Sequence, residues 1–170
     1  MSIRNATERD IPQIIELFES FMSEIARTYP DNDYRPYIDQ AIQHELKNLT
    51  QYYLAPQRNA FFICYAGNRI HGTIGFEEVT LQTAEMRRLI VSSGSRRKGL
   101  GKRLVQMVET ECARIGYKEL VLETSELQSA AITLYRQLGY QRDSENLAST
   151  LDHKGVSGIA RYRFRKSISE

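Results

Sequence analysis

One stretch limits the architecture of this chain more than any other: Glu85 to Val105, EMRRLIVSSGSRRKGLGKRLV. It starts as a strand pattern ending in β-branched residues and crosses a polar basic turn. It then continues with helical periodicity through Leu104, Val105, Val108 and Cys112. Gly99 and Gly101 fall where that helix must begin. The first backbone N–H groups are therefore left uncovered, and the positive end of the helix dipole is open to an anion. Arg96, Arg97, Lys98, Lys102 and Arg103 surround the opening. Taken alone, the stretch fits a diphosphate cradle, a solvated basic loop or a nucleic-acid patch. It is not a Walker loop, because no Gly-Lys-Ser/Thr closes it, and it lacks the third glycine and the acidic residue of a dinucleotide fingerprint.

Net charge decides part of this question. The 170 residues carry only +2 overall, yet seven basic residues stand against one acid between Glu85 and Val105. So focused an excess suits a small polyanion better than a long nucleic acid, which needs a broad positive face. The length fits one domain, 1–170, with a full core, and 41 % hydrophobic with 26 % charged residues is a globular composition. No apolar run approaches the roughly 20 residues of a membrane span, and no signal-peptide core follows Met1. A soluble, cytoplasmic protein is expected. Cys64 and Cys112 sit among apolar neighbours and are expected to be buried free thiols. His44, His71 and His153 are scattered without ligand spacing, and no metal is expected.

Taken in order, Ser2 to Ala6 is a short edge-like strand, and Thr7 to Asp10 resembles a capping box with Asp in place of Glu. A helix follows with a wide apolar stripe from Ile11 to Ile25, broken at Tyr29-Pro30. A second helix is expected from Arg35 to about Leu54, with Ile38, Ala41, Ile42, Leu46 and Leu49 on one side. A hairpin runs Ala60–Ala66, Gly67-Asn68, Arg69–Glu78. The strand from Ala84 to Val91, the helix ending near Gly116 and the strand Lys118–Thr124 make a right-handed crossover with parallel pairing. Gln128 to Leu138 is a short helix, and Tyr140 starts another strand. The polar segment from Asp143 to Ser157 is expected to be a loop. Ile159 to Arg165 alternates apolar and basic residues, as for an edge strand with one face in water.

Two motifs bring a family into view. Arg96-Arg97-Lys98-Gly99-Leu100-Gly101 matches the Arg/Gln-x-x-Gly-x-Gly/Ala signature of the GNAT acyl-CoA-dependent N-acetyltransferases. Ala131 to Tyr140, AITLYRQLGY, is similar to that family's Ala-x-x-x-Tyr-x-x-x-Gly-Phe/Tyr. Their spacing and the order of elements resemble the family from Ser2 to Phe164, and Glu85 to Tyr140 looks locally like the camello-type members.

The resemblance implies an α/β GNAT fold: a mixed, mostly antiparallel twisted sheet of six to seven strands with helices on both faces, splayed between the Glu85–Val91 and Lys118–Thr124 strands. It implies acetyl-CoA as acyl donor and an amine as acceptor, with a homodimer allowed and nucleic acid disfavoured. The strand residues Leu89, Ile90 and Val91 would meet the pantetheine arm, with one N–H polarising the thioester carbonyl. The backbone and side chains of Arg96, Arg97, Lys98, Gly99, Leu100, Gly101 and Lys102 would hold the diphosphate. Tyr135 takes the family's general-acid position, and Glu85 a position often used as base, on a face expected to alternate with Arg87, Leu89 and Val91. Glu77 and Glu78 are rivals for the base. Gln128 replaces a common asparagine near the pantetheine. The acceptor would be shaped by Phe21 to Tyr37 and Asp143 to Ser157. A CoA-binding module without chemistry is the alternative to an enzyme.

Overall fold

A seven-stranded mixed sheet carries the molecule, in the order β1-β2-β3-β4-β5-β7-β6. The computed structural model describes residues 1–143 and 159–168. The strands are β1 (Ser2–Asn5), β2 (Ala60–Ala66), β3 (Arg69–Glu78), β4 (Thr83–Val91), β5 (Glu119–Ser125), β6 (Gln141–Arg142) and β7 (Arg161–Ser167). All neighbours are antiparallel except β4 and β5. The loop expected from Asp143 to Ser157 lies, after Asp143, outside the described residues, as does His153.

Period-2 alternation along the strands sends side chains to two apolar cores, one on each face. On one face α3 (Leu100–Ile115) and α4 (Ser129–Gln137) cover Ile74, Phe76, Met86, Leu120 and Leu122, with Cys64 and Cys112 buried there as free thiols. On the other face α1 (Ile11–Thr28) lays Ile14, Leu17, Phe18 and Met22 over Phe61, Ile63 and Ile90. The Thr7–Asp10 turn starts that helix. Asp10 accepts from the Thr7 N–H at 2.8 Å and hydroxyl at 2.9 Å, and from Arg4 through both guanidinium nitrogens.

The second helical segment, α2, runs from Arg35 to Leu54 as expected, but with uneven winding. After Arg35–Gln40 it widens to π turns at Ala41–Glu45 and Thr50–Leu54, around a tight turn at Leu46–Asn48. Ala41, Ile42, Glu45, Leu46, Leu49 and Tyr53 all turn inward from it.

The last strand corrects the sequence expectation. β7 is interior, paired with β5 from Glu119↔Ser167 to Ser125↔Arg161, and β6 adds two residues on its far side. Three of its four basic residues are held by carboxylates of neighbouring elements rather than by water alone. Arg161 meets Glu123 at 2.8 Å, Arg165 meets Asp143 at 2.6 Å, and Lys166 meets Glu109 at 2.8 Å. The alternation matched an edge strand because paired cations and solvated cations look alike in sequence.

Two breaks in regularity place the site. The parallel ladder between β4 and β5 covers only Thr83–Met86 against Glu119–Leu122, although both strands continue beyond it. In addition, β4 bulges against β3. Thr73 pairs with Ile90 and Gly75 with Arg87, so Ile74 faces both Arg88 and Leu89. Arg88 is the extra residue, in the left-handed region at φ 56°, with its carbonyl accepting from the Thr73 hydroxyl at 2.9 Å. A bulge bends and twists its strand, and pairing with β5 ends just before this one.

Candidate active site

The gap left by the parted strands is a cleft of about 450 Å3. One wall is β4 from Glu85 to Ile90, the opposite wall runs from Glu123 to Gln128, and Tyr135 of α4 and the inner side of α1 and α2 close it.

The bulge changes which residues share a face. Glu85 and Arg87 point toward α1 and α2, and so does Arg88. Leu89 and Val91 fall on the α3 and α4 side, while Ile90 returns to the α1 core. The expected alternation of Glu85 with Arg87 therefore holds, but that with Leu89 and Val91 does not. The surplus residue shifts the phase by one.

Backbone direction supports the roles the resemblance gave to two of the three strand residues. The Ser92 N–H donates to the His71 carbonyl of β3 at 2.9 Å. Alternation along the strand then sends the peptide groups of Ile90 toward β3 and those of Leu89 and Val91 toward the open edge. Ile90 lines the cleft only through its side chain, while Leu89 and Val91 present main-chain donors and acceptors.

At the mouth, a tight turn at Ser93–Ser95 leads to α3. Arg97 at φ 59° and Gly99 at φ 76° are left-handed, with Lys98 between them at negative φ. Such alternation turns successive N–H groups toward one concavity. No side chain caps the helix, and the first N–H bonded to a preceding carbonyl is that of Arg103, to Gly99. The donors of Leu100, Gly101 and Lys102 thus face outward at the positive helix end. Gly99 supplies the left-handed turn. Gly99→Ala meets open space, so its cost is conformational, about 1–2 kcal/mol, read as a Tm loss of roughly 2–8 °C. Gly101 has a different reason to lack a side chain: a Cβ there meets Leu134 of α4 at 3.1 Å.

The basic side chains expected around the cradle are not equivalent. Arg97 and Lys102 are exposed, and Lys98 folds back onto the Gly94 carbonyl at 2.7 Å. Arg96 is tied twice, to Glu24 of α1 at 2.7 Å and through Nε to the Val91 carbonyl at 3.0 Å. Gln128 sits at the start of α4 within the cleft lining, its Oε1 accepting from the Thr124 hydroxyl at 3.3 Å.

Tyr135 is buried, its ring packed on Tyr140 and Phe164 with centroids 5.8 and 6.2 Å away. Burial alone pushes its phenol well above the ordinary value, which keeps the proton on the oxygen throughout the neutral range.

Of the candidate bases, Glu85 lines the cleft. Glu77 stands directly across from it on β3, and Arg87 bridges the two at 3.4 and 3.0 Å. Burial raises the Glu77 carboxyl, Arg87 opposes this, and Glu85 adds to it. Glu78 is excluded by direction: it points to the other face, where it pairs with Arg58 and accepts from the Tyr117 hydroxyl at 3.3 Å.

A buried cluster on the α2 side went unrecognised in the sequence. Arg88 forms a close ion pair with Glu45, donates to the Tyr37 hydroxyl at 2.9 Å and lies over the Phe18 ring at 5.1 Å. Tyr53 donates to the same carboxylate at 2.5 Å. The available signal was Glu45 itself, a charge set inside the apolar row Ala41, Ile42, Leu46, Leu49, since a charge on a buried stripe needs a partner.

Comparison with known proteins converges on the same reading. Residues 13–140 match the Acetyltransferase (GNAT) family. Probable N-acetyltransferase family 8 member 5 of Mus musculus is 32 % identical over 127 residues, covering 72 % of this chain and 56 % of that protein. N-acetyltransferase 8 of Rattus norvegicus is 30 % identical, over 69 % of this chain and 55 % of that protein. The chain spans a little over half the length of these curated relatives. Among solved structures, PaiA N-acetyltransferase of Thermoplasma acidophilum in complex with coenzyme A aligns with a TM-score of 0.79 at 18 % identity, covering 98 % of each chain. YncA, a putative acetyltransferase of Salmonella typhimurium with its cofactor acetyl-CoA, aligns with a TM-score of 0.74 at 19 % identity, over 100 % of this chain and 95 % of that one. The fold is thus shared at low identity, and with a sequence match running from residue 13 to residue 140 the chain belongs to the GNAT acetyltransferase family.

Proposed function

We propose that this chain transfers the acetyl group of acetyl-CoA to a primary amine by direct attack with both substrates bound. The observation that carries this reading is an open strand edge and the Tyr135 side chain sharing one cleft, with an uncapped helix start just beyond the end of the same strand. The N–H groups of Leu100, Gly101 and Lys102, with Arg97 and Lys102 side chains, suit a diphosphate. Leu89 and Val91 suit the amides of the pantetheine arm, and one of their N–H groups suits the thioester oxygen, where charge develops.

The protons then have assigned places. The amine nitrogen bonds to the carbonyl carbon as the carbon–sulfur bond breaks, and Tyr135 gives its proton to the departing sulfur. The proton lost by the amine passes to Glu85, directly or through water, and Arg87 keeps that carboxylate oriented. Glu77, across the strand, holds Arg87 from the far side. Arg96 already donates to the Val91 carbonyl, whose second lone pair is left for a pantetheine amide.

Incubation with acetyl-CoA and a panel of primary amines is expected to release free CoA in proportion to acetylated product. If acetyl-CoA raises Tm but no amine yields CoA, the chain is a CoA-binding module and the transfer reading fails.

A further inference from the structure

The run Leu89-Ile90-Val91 does not choose its own faces. Leu89 and Val91 pack with the α3 and α4 core, and Ile90 with the α1 core. A slip of one residue past β3 would remove the bulge, set Arg88 opposite Ile74 and Leu89 opposite Thr73, and turn the side chains from 88 to 91 to the other face. Leu89 would enter the place of Ile90, and Ile90 that of Val91. These are exchanges of apolar side chains differing by about one methylene at most, which cores tolerate. The slip would also relieve the left-handed backbone of Arg88 at φ 56°, unfavourable for a residue with a Cβ, and regain the ladder bonds that the bulge interrupts. The apolar pattern accepts either register, and backbone preference favours the one not adopted.

Arg88 is the residue that resists. Regular pairing would drive its guanidinium into the place of Leu89, beside Ile74 in the apolar core under α3 and α4, and would leave the buried Glu45 without its cation. In the bulged strand the guanidinium instead meets both Glu45 oxygens, with Nε at 3.0 Å, and donates to the Tyr37 hydroxyl at 2.9 Å. We infer that the Glu45–Arg88 pair sets the register of β4 against β3, and so is a positioning pair for the open edge at Leu89 and Val91. Slipped by one, the strand would turn the peptide groups of Leu89 and Val91 toward β3 and present those of Ile90 at the edge. A buried ion pair suits this task, since it adds little net stability while making the wrong register strongly unfavourable. The consequence for catalysis rests on the acetyl-transfer reading above; the register itself does not.

Arg88→Met joined to Glu45→Gln removes the pair and leaves Tyr53 an acceptor. Cross-strand NMR contacts in this variant are expected to put Thr73 opposite Leu89 in place of Ile90. Calorimetric Kd for CoA and kcat/KM for CoA release with an amine are each expected to worsen at least tenfold in the folded variant. Arg88→Lys keeps a cation that the core excludes, and is expected to retain the wild-type contacts. Thr73 still opposite Ile90 in the double variant overturns the inference whatever its activity, and so does a slipped strand in Arg88→Lys. A slipped strand with undiminished CoA affinity upholds the register inference and sinks the assignment of Leu89 and Val91 to the pantetheine arm. A slipped strand with weakened CoA binding supports both. If the wild-type chain acetylates no amine, the transfer reading falls and the NMR contacts alone judge the pair. Glu45→Met with Arg88→Met repeats the test. Failure of both double variants to fold overturns the inference, because the pair would then be needed for the fold and not for its register.

Discussion

Tyr135→Phe is expected to lower kcat for acetyl transfer by about 10²-fold or more, the range lost when a positioned acid is removed from a transition state. Calorimetric Kd for CoA is expected to stay close to wild type. The phenylalanine ring fills the same space against Tyr140 and Phe164, so Tm should also change little. A pH profile adds a second readout. Burial holds the phenol above its ordinary value, so the group stays protonated and active as pH rises, and no alkaline decline of the wild-type rate should arise from it below about pH 10. A Tyr135→Phe variant with wild-type kcat would remove the hydroxyl from the mechanism and leave thiolate protonation to water.

The largest expected loss of stability is at Glu45. Glu45→Ala leaves the Arg88 guanidinium buried without its carboxylate, and breaking such a pair costs about 3–5 kcal/mol. For a chain of this size that is a Tm drop of roughly 6–20 °C, measurable by circular dichroism. Joining Arg88→Met to Glu45→Met should recover most of the loss, because an apolar pair carries no stranded charge. If the double variant were as unstable as the single, the contribution would lie in the winding of α2 and not in the ion pair.

Protonation should tell the two neighbouring glutamates apart. Burial pushes the Glu45 carboxyl up, but the hydrogen bonds and charge of Arg88 outweigh this and hold it below the ordinary 4.5. Its stabilisation is therefore complete above that pH and fades as pH falls through the depressed folded value. Glu77 has the opposite sign. Its folded carboxyl is raised by burial, so ionisation costs stability near neutrality and acid relieves that cost. Glu77→Gln should be neutral or mildly stabilising at pH 7, under conditions where Glu45→Gln destabilises.

Local features of this protein were legible from sequence, and features set by strand phase were not. The helix start at Gly99 and the hairpin turn at Gly67-Asn68 depend on residues adjacent in the chain. The same holds for the place of Tyr135 on the short helix α4. Arg88 depends on the register of β3, which no window along β4 reveals. An arginine following an arginine offers no mark of a bulge, so Leu89 and Val91 were placed on the wrong face. β7 shows the same limit, because Arg161, Arg165 and Lys166 are matched by Glu123, Asp143 and Glu109 from three separate segments. Arg96 belongs to the signature and was readable as a cation, but its link to Glu24 joins positions 72 residues apart in sequence.

The cleft in this sheet rests on a one-residue difference in length between two strands. Thr73 to Gly75 on β3 is spanned by Arg87 to Ile90 on β4. Removing Arg88 would let Gly75, Ile74 and Thr73 meet Arg87, Leu89 and Ile90 in regular register, with every remaining side chain still on its present face. The straightened strand could then go on pairing with β5 beyond Met86, zipping the cleft into continuous sheet. Deleting either arginine of the Arg87-Arg88 pair would leave both apolar faces in phase yet close the binding space, with the buried Glu45 stranded when Arg88 is the one removed, whereas a deletion of a residue beyond this pair would turn part of one core inside out.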